Sequence, residues 1–71
     1  MRINYDEKTD CLYIRLKETA YYESHEVREG VLLDYDDKGR VIAIEILNAG
    51  EYLTEHELAS LTYSVEKAIT K

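Results

Sequence analysis

The sequence contains no proline, no tryptophan and no phenylalanine, and its 71 residues include one cysteine, one methionine and three glycines. With Cys11 as the single thiol, a disulfide framework of the kind that staples many small secreted domains is excluded. Gly30, Gly39 and Gly50 stand far apart and make no phosphate-cradling run. Basic side chains are also scarce. Nine Lys and Arg face 15 Asp and Glu, for a formal net charge of −6. Direct nucleic-acid binding, which needs a basic footprint, is therefore not expected. Long apolar runs are missing too. Met1-Arg2-Ile3-Asn4-Tyr5-Asp6-Glu7 has no signal-peptide apolar core, and the most apolar stretch, Val41 to Leu47, is too short to span a bilayer and carries Glu45. No membrane association is expected. A cytoplasmic location is, and there a lone thiol stays reduced.

What remains is an ordinary globular composition, 45% apolar, which is too high for a disordered acidic tail. Residues 1–71 are expected to form a single domain. A folded chain of this size should expose roughly 4,600 Å² and bury only about 60% of its unfolded surface, a narrow margin for a core. Disulfide and structural-metal staples are both missing from the sequence, so self-association is expected, with a homodimer as the first choice.

Along the chain, Arg2 to Asp6 alternates, with Ile3 and Tyr5 on one side, and reads as a first strand. Glu7-Lys8-Thr9-Asp10 is a polar turn. Cys11 to Lys17 is a second strand: Leu12, Ile14 and Leu16 share one face, and Cys11, Tyr13, Arg15 and Lys17 share the other. The short connection predicts antiparallel pairing of the two. Glu18 to Glu29 has no strong pattern and reads as a loop, with room for a short strand around Tyr21 or Val27. Strands at about 31–36 and 40–47 flank Asp36-Asp37-Lys38-Gly39, a hairpin turn in which Asp opens a type I turn and Gly39 takes positive φ.

A helix is predicted over about 54–70. Thr54 and Glu57 form a capping box, Leu53 and Leu58 a hydrophobic staple, and Glu55 and Glu57 suit the positive end of the helix dipole. Lys67 and Lys71 suit the other end, and Leu58, Leu61, Val65, Ala68 and Ile69 make an apolar stripe. The predicted fold class is α+β: an antiparallel meander of three to four strands with the C-terminal helix packed on one face. The fourth strand is apolar on both sides, Ile42, Ile44 and Ile46 on one and Val41, Ala43 and Leu47 on the other. Its second face is expected to meet another subunit.

Few constellations suggest chemistry. Asp34, Asp36, Gly39, Val41 and Glu45 fall at calcium-loop positions, which makes Asp34, Asp36 and Glu45 candidate cation ligands. Lys38 occupies a position that should carry an oxygen ligand, and strand-like flanks replace the helices such a loop needs. A plain hairpin with solubilising aspartates is the expected reading. His25 and His56 lack spaced partners for zinc. Cys11 has no adjacent base, and the serines have no nucleophile-elbow context. No catalytic residue and no cofactor is implied. Tyrosine supplies every aromatic ring. Tyr13, Tyr21 and Tyr22, with Val41, Ala43 and Leu47, are the candidate interface residues: interfaces favour Tyr, Tyr21 and Tyr22 are expected to be partly exposed, and the others occupy the sheet side expected to be uncovered.

The pattern Tyr5-Asp6-x-x-x-Asp10-x-Leu12-Tyr13-Ile14-x-Leu16, followed by Gly30-Val31-x-Leu33-Asp34-Tyr35-Asp36-x-x-Gly39-x-Val41-x-x-Ile44-Glu45-Ile46-Leu47-x-Ala49, resembles the short prokaryotic domain of unknown function DUF2283. The resemblance covers about residues 3–50. It implies an antiparallel β-rich domain with a helix, no established activity and no assigned catalytic residues. Cys11 stands where the family commonly has a small residue, which implies a structural thiol. Members occur beside small toxin-like proteins, so the resemblance also implies an antitoxin-like role. Two functional classes stay open at this point. One is a non-catalytic, self-associating interaction module with a basic partner protein. The other is a ligand-binding protein or enzyme whose carboxylate-lined site, drawn from Asp34, Asp36, Glu45 or His25, forms at a subunit interface.

Overall fold

A computed structural model describes residues 1–68. It contains five strands, β1 (Arg2–Asp6), β2 (Cys11–Arg15), β3 (Glu23–Arg28), β4 (Val31–Tyr35) and β5 (Val41–Ile46). A 3-10 turn (Ala49–Glu51) and a four-residue helix, α1 (Glu55–Leu58), follow them. The strands make one antiparallel sheet in the order β1-β2-β5-β4-β3.

This arrangement corrects the predicted meander in two respects. First, there are five strands rather than three to four. The segment read as a loop holds β3, whose six residues are all exposed. An edge strand paired on one side only can keep charged side chains in water on both faces, so β3 shows no hydrophobic alternation. Second, the chain does not run strand to neighbouring strand throughout. After β2 it crosses to the far edge, forms the meander β3-β4-β5, and returns β5 to lie beside β2, a Greek-key path.

The predicted long helix is also corrected. Its start is as read: the Thr54 hydroxyl accepts from the Glu57 amide at 3.1 Å, and the Glu57 carboxylate accepts from the Thr54 amide at 2.9 Å. The helix ends at Leu58, however, and residues 59–68 have no regular structure. Ser60, Thr62, Tyr63, Ser64 and Val65 are weak helix formers, and a helix this short draws its stability from the surface it packs on. Leu61, Tyr63 and Val65 are 69, 69 and 68% exposed, so no such surface is engaged. Ile69 and Thr70, which the prediction placed in the helix, and Lys71 at its end lie outside the described residues.

The turns behave as local chemistry dictates. Asp36 opens the β4–β5 hairpin, its Oδ1 accepting from the Lys38 and Arg40 amides at 2.9 Å each, while Gly39 takes φ +78°. Those two amides and the Arg40 guanidinium, 3.0 Å from Oδ2, hold the Asp36 carboxyl below the usual range although it is only 3% exposed. In the β1–β2 turn, Asp10 sits at φ 56° and joins three segments. Its carboxylate accepts from the Tyr5 hydroxyl at 2.7 Å and from the Gly50 amide at 3.0 Å, and its carbonyl accepts from the Ala49 amide at 2.9 Å. The bond to Asp10 pushes the Tyr5 hydroxyl up to about 12.

Gly30 closes the β3–β4 hairpin at φ +79°, and a Cβ there would lie 3.3 Å from the Leu47 carbonyl oxygen. Both the left-handed backbone and the close backbone contact oppose a side chain. Gly30→Ala should therefore cost roughly 1–2 kcal/mol, read as a lower urea midpoint with an unchanged m-value.

Candidate functional site

Residues opposite one another in an antiparallel sheet share a face, so the register sorts the strands into two surfaces. Tyr13 lies opposite Glu45, Leu32 opposite Glu45, Asp34 opposite Ala43 and Ser24 opposite Asp34. Tyr13, Arg15, Ser24, Asp34 and Glu45 therefore converge on one face, above Ala43, which is fully buried. The other face carries Leu12, Ile14, Val31, Leu33, Ile44 and Ile46, with Ile3 and Tyr5 beside them on β1.

The polar face is a connected network. Asp34 is 4% exposed. Its Oδ1 accepts from the Ser24 hydroxyl at 2.7 Å, and its Oδ2 is 3.5 Å from the Tyr13 hydroxyl. Arg15 Nη1 donates to the Tyr13 hydroxyl at 2.8 Å, and Nη2 donates to the Thr19 carbonyl, tying the β2–β3 crossing to the cluster. Arg15 Nε is buried without a hydrogen bond, 3.7 Å from Glu18 Oε2. Glu45 lies against Asp34. Burial first, and then the Asp34 charge and the hydrogen bond between the two carboxyls, raise the Glu45 carboxyl above the ordinary range. Beside Asp34, the Glu45 carboxyl keeps its proton to higher pH than a free glutamate would, a chemistry suited to gripping a hydrogen-bonding ligand.

The sequence-derived candidates separate in this geometry. Asp34 and Glu45 meet, but through the β4–β5 pairing and not around a calcium loop. Asp36 is spent on its own hairpin, where three donors occupy its oxygens. His25 lies on the opposite face, its ring 5.6 Å from that of Tyr35 and its Nε2 3.2 Å from Glu23. Among the candidate interface residues, Tyr13 is half-buried inside the polar network and Ala43 is fully enclosed by its own chain. Leu47 is half-buried just past β5, while Tyr21, Tyr22 and Val41 are exposed. Cys11 is half-buried and its Sγ lies 3.4 Å from the Thr9 carbonyl oxygen.

Two network members, Arg15 and Ser24, were not among the sequence candidates. For Arg15 the visible signal is its shared strand phase with Tyr13. Ser24 required recognition of β3, which carries no hydrophobic alternation to mark it.

The surface that the sequence did not identify as uncovered is the apolar one. No described helix lies on it, and Leu12, Ile14, Leu33, Ile44 and Ile46 all remain partly accessible. Only three apolar residues of the described chain, Ile42, Ala43 and Ala49, are buried.

Glu45 gives a pH-dependent prediction with a definite sign. Because its carboxyl is raised in the folded state, the stability it contributes is full below the ordinary value of 4.5 and is lost as pH rises through the raised value. Glu45→Gln, whose amide can donate to Asp34 at any pH, should melt above the parent at pH 7 by about 4–8 °C, the equivalent of roughly 1 kcal/mol for a domain of this size. Thermal melts should show the gap closing by pH 4.

Comparison with curated proteins gave no match, and neither did comparison with solved structures. A family model described as a protein of unknown function, DUF2283, matches residues 2–49, a span that runs from β1 to the first residue of the 3-10 turn and holds every residue of the polar network. With well over half of its length matched, the chain belongs to the DUF2283 family.

Proposed function

We propose that this protein is a non-catalytic interaction module that works as a homo-oligomer, with a second copy of the chain meeting the apolar face of the sheet. The observation that carries this reading is the missing second layer. A sheet with one apolar face needs a cover, and no described element provides it. The chain exposes 6125 Å², against roughly 4,600 Å² expected for a folded chain of its mass. A stable interface removes about 800 Å² from each partner, which this excess can supply.

The charge of −6 favours a basic protein as any second partner, since complementary charge speeds encounter and selects between surfaces. An antitoxin-like role, masking a small basic toxin, fits that chemistry. A cytoplasmic setting is part of this reading, and there the single thiol, Cys11, would stay reduced. A second reading, a ligand-binding protein or enzyme with a carboxylate-lined site, draws on the Asp34–Glu45 pair. Native mass spectrometry retaining a small molecule, lost on Asp34→Asn, would favour it.

Light scattering behind size exclusion at micromolar concentration should return at least twice the 8.3 kDa chain mass. Ile44→Glu, which places a charge at the centre of the apolar face, should shift the protein to monomer. A parent protein that runs at 8.3 kDa would overturn the interaction reading.

A further inference from the structure

Two unpartnered apolar features occur in this chain, and they match. One is the sheet face of Leu12, Ile14, Leu33, Ile44 and Ile46. The other is the segment after α1. Its residues Leu61 and Val65 continue from Leu58 at helical spacing, with Ala68 next on the same stripe. The start of a helix is already built there, because the Thr54–Glu57 capping box is closed in both directions. Glu55 and Glu57 stand in the first turn and Lys67 near the far end, each with the sign the helix dipole favours. Past Leu58 the stripe has no surface to pack on in its own chain, and amphipathic helices draw most of their stability from packing.

The dimensions agree. Residues 54–68 as a helix would be roughly 22 Å long at about 1.5 Å per residue. Five strands about 4.8 Å apart span roughly 19 Å. A single such helix can therefore cross the whole sheet.

Only the start of the segment borders its own sheet, at the edge strand β1. Leu58 and Ala59 border a cleft with Tyr5, Glu7 and Glu55 at the end of β1, and beyond it Leu61, Tyr63 and Val65 are directed into solvent. We propose that residues 54–68 of one copy fold into a helix on the apolar sheet face of a second copy, and that the exchange is reciprocal, giving a swapped dimer with two-fold symmetry. This rests on the self-association proposed above and names the segment that makes it. In such a dimer Leu58, Leu61, Val65 and Ala68 of one chain cover Ile14, Leu33 and Ile44 of the other. The helix then forms only as the copies meet, so helix content follows concentration.

The test uses the full chain. Circular dichroism at 222 nm across a dilution series should show helical signal falling as sedimentation shows the dimer dissociating. Leu61→Asp combined with Val65→Asp should halve the mass and remove that helical signal while leaving the strand signal in place. In a mixed sample of isotope-labelled and unlabelled parent protein, filtered NOEs should connect the methyls of Leu61 and Val65 to those of Ile14 and Ile44 between copies. A dimer that survives the double substitution, or the same methyl contacts found only within one chain, would overturn the exchange while leaving self-association standing. A parent protein that is monomeric at all concentrations would remove both.

Discussion

The pairing of β5 with β2 on one side and β4 on the other is the interaction on which the rest of the structure depends. Without it the molecule would be a two-stranded hairpin and a separate three-stranded meander, and an isolated hairpin is marginal in water. The register of those two ladders puts Ile44 between Ile14 and Leu33, and Ala43 between Arg15 and Asp34. A shift by one residue on either side would exchange the faces and put Asp34 and Glu45 among isoleucines.

From that register both surfaces follow. The polar face is self-contained. Ser24, Tyr13, Arg15 and Glu45 surround Asp34, and the bond from Arg15 to Thr19 fastens the crossing segment over it. A buried carboxylate is tolerated because the Ser24 and Tyr13 hydroxyls reach it. The apolar face has no such closure. In an ordinary α+β domain a helix would lie across it, and here the helix stops after one turn. The two faces thus differ in kind, a hydrogen-bonded polar network on one side and a partly accessible apolar surface on the other.

Much of the local structure was legible in the residues. Leu12, Ile14 and Tyr13 alternate cleanly enough to give β2 its limits within two residues, and Asp36 with Gly39 specifies the hairpin by its own side-chain and backbone preferences. The Thr54–Glu57 box forms as read. β3 was not legible, because an edge strand exposed on both faces needs no apolar period, and its identity depends on hydrogen bonds to β4. The polar network was legible only in part. Asp34 and Glu45 drew notice for a calcium-like spacing that the fold does not use, and they meet because β4 and β5 pair. Arg15 and Ser24 join them across strands distant in sequence.

By itself the sequence determined four of the five strand-forming segments, the turn chemistry, the helix start, the acidity and the lack of covalent staples, because each depends on residues a few positions apart. Only the tertiary structure decided the strand order, which side chains gather around Asp34 and which face is left open. Those outcomes depend on contacts between residues far apart in the chain, above all the return of β5 to β2. The length of the helix belongs with them, since Leu61 and Val65 supply the right stripe but a surface must be present to receive it.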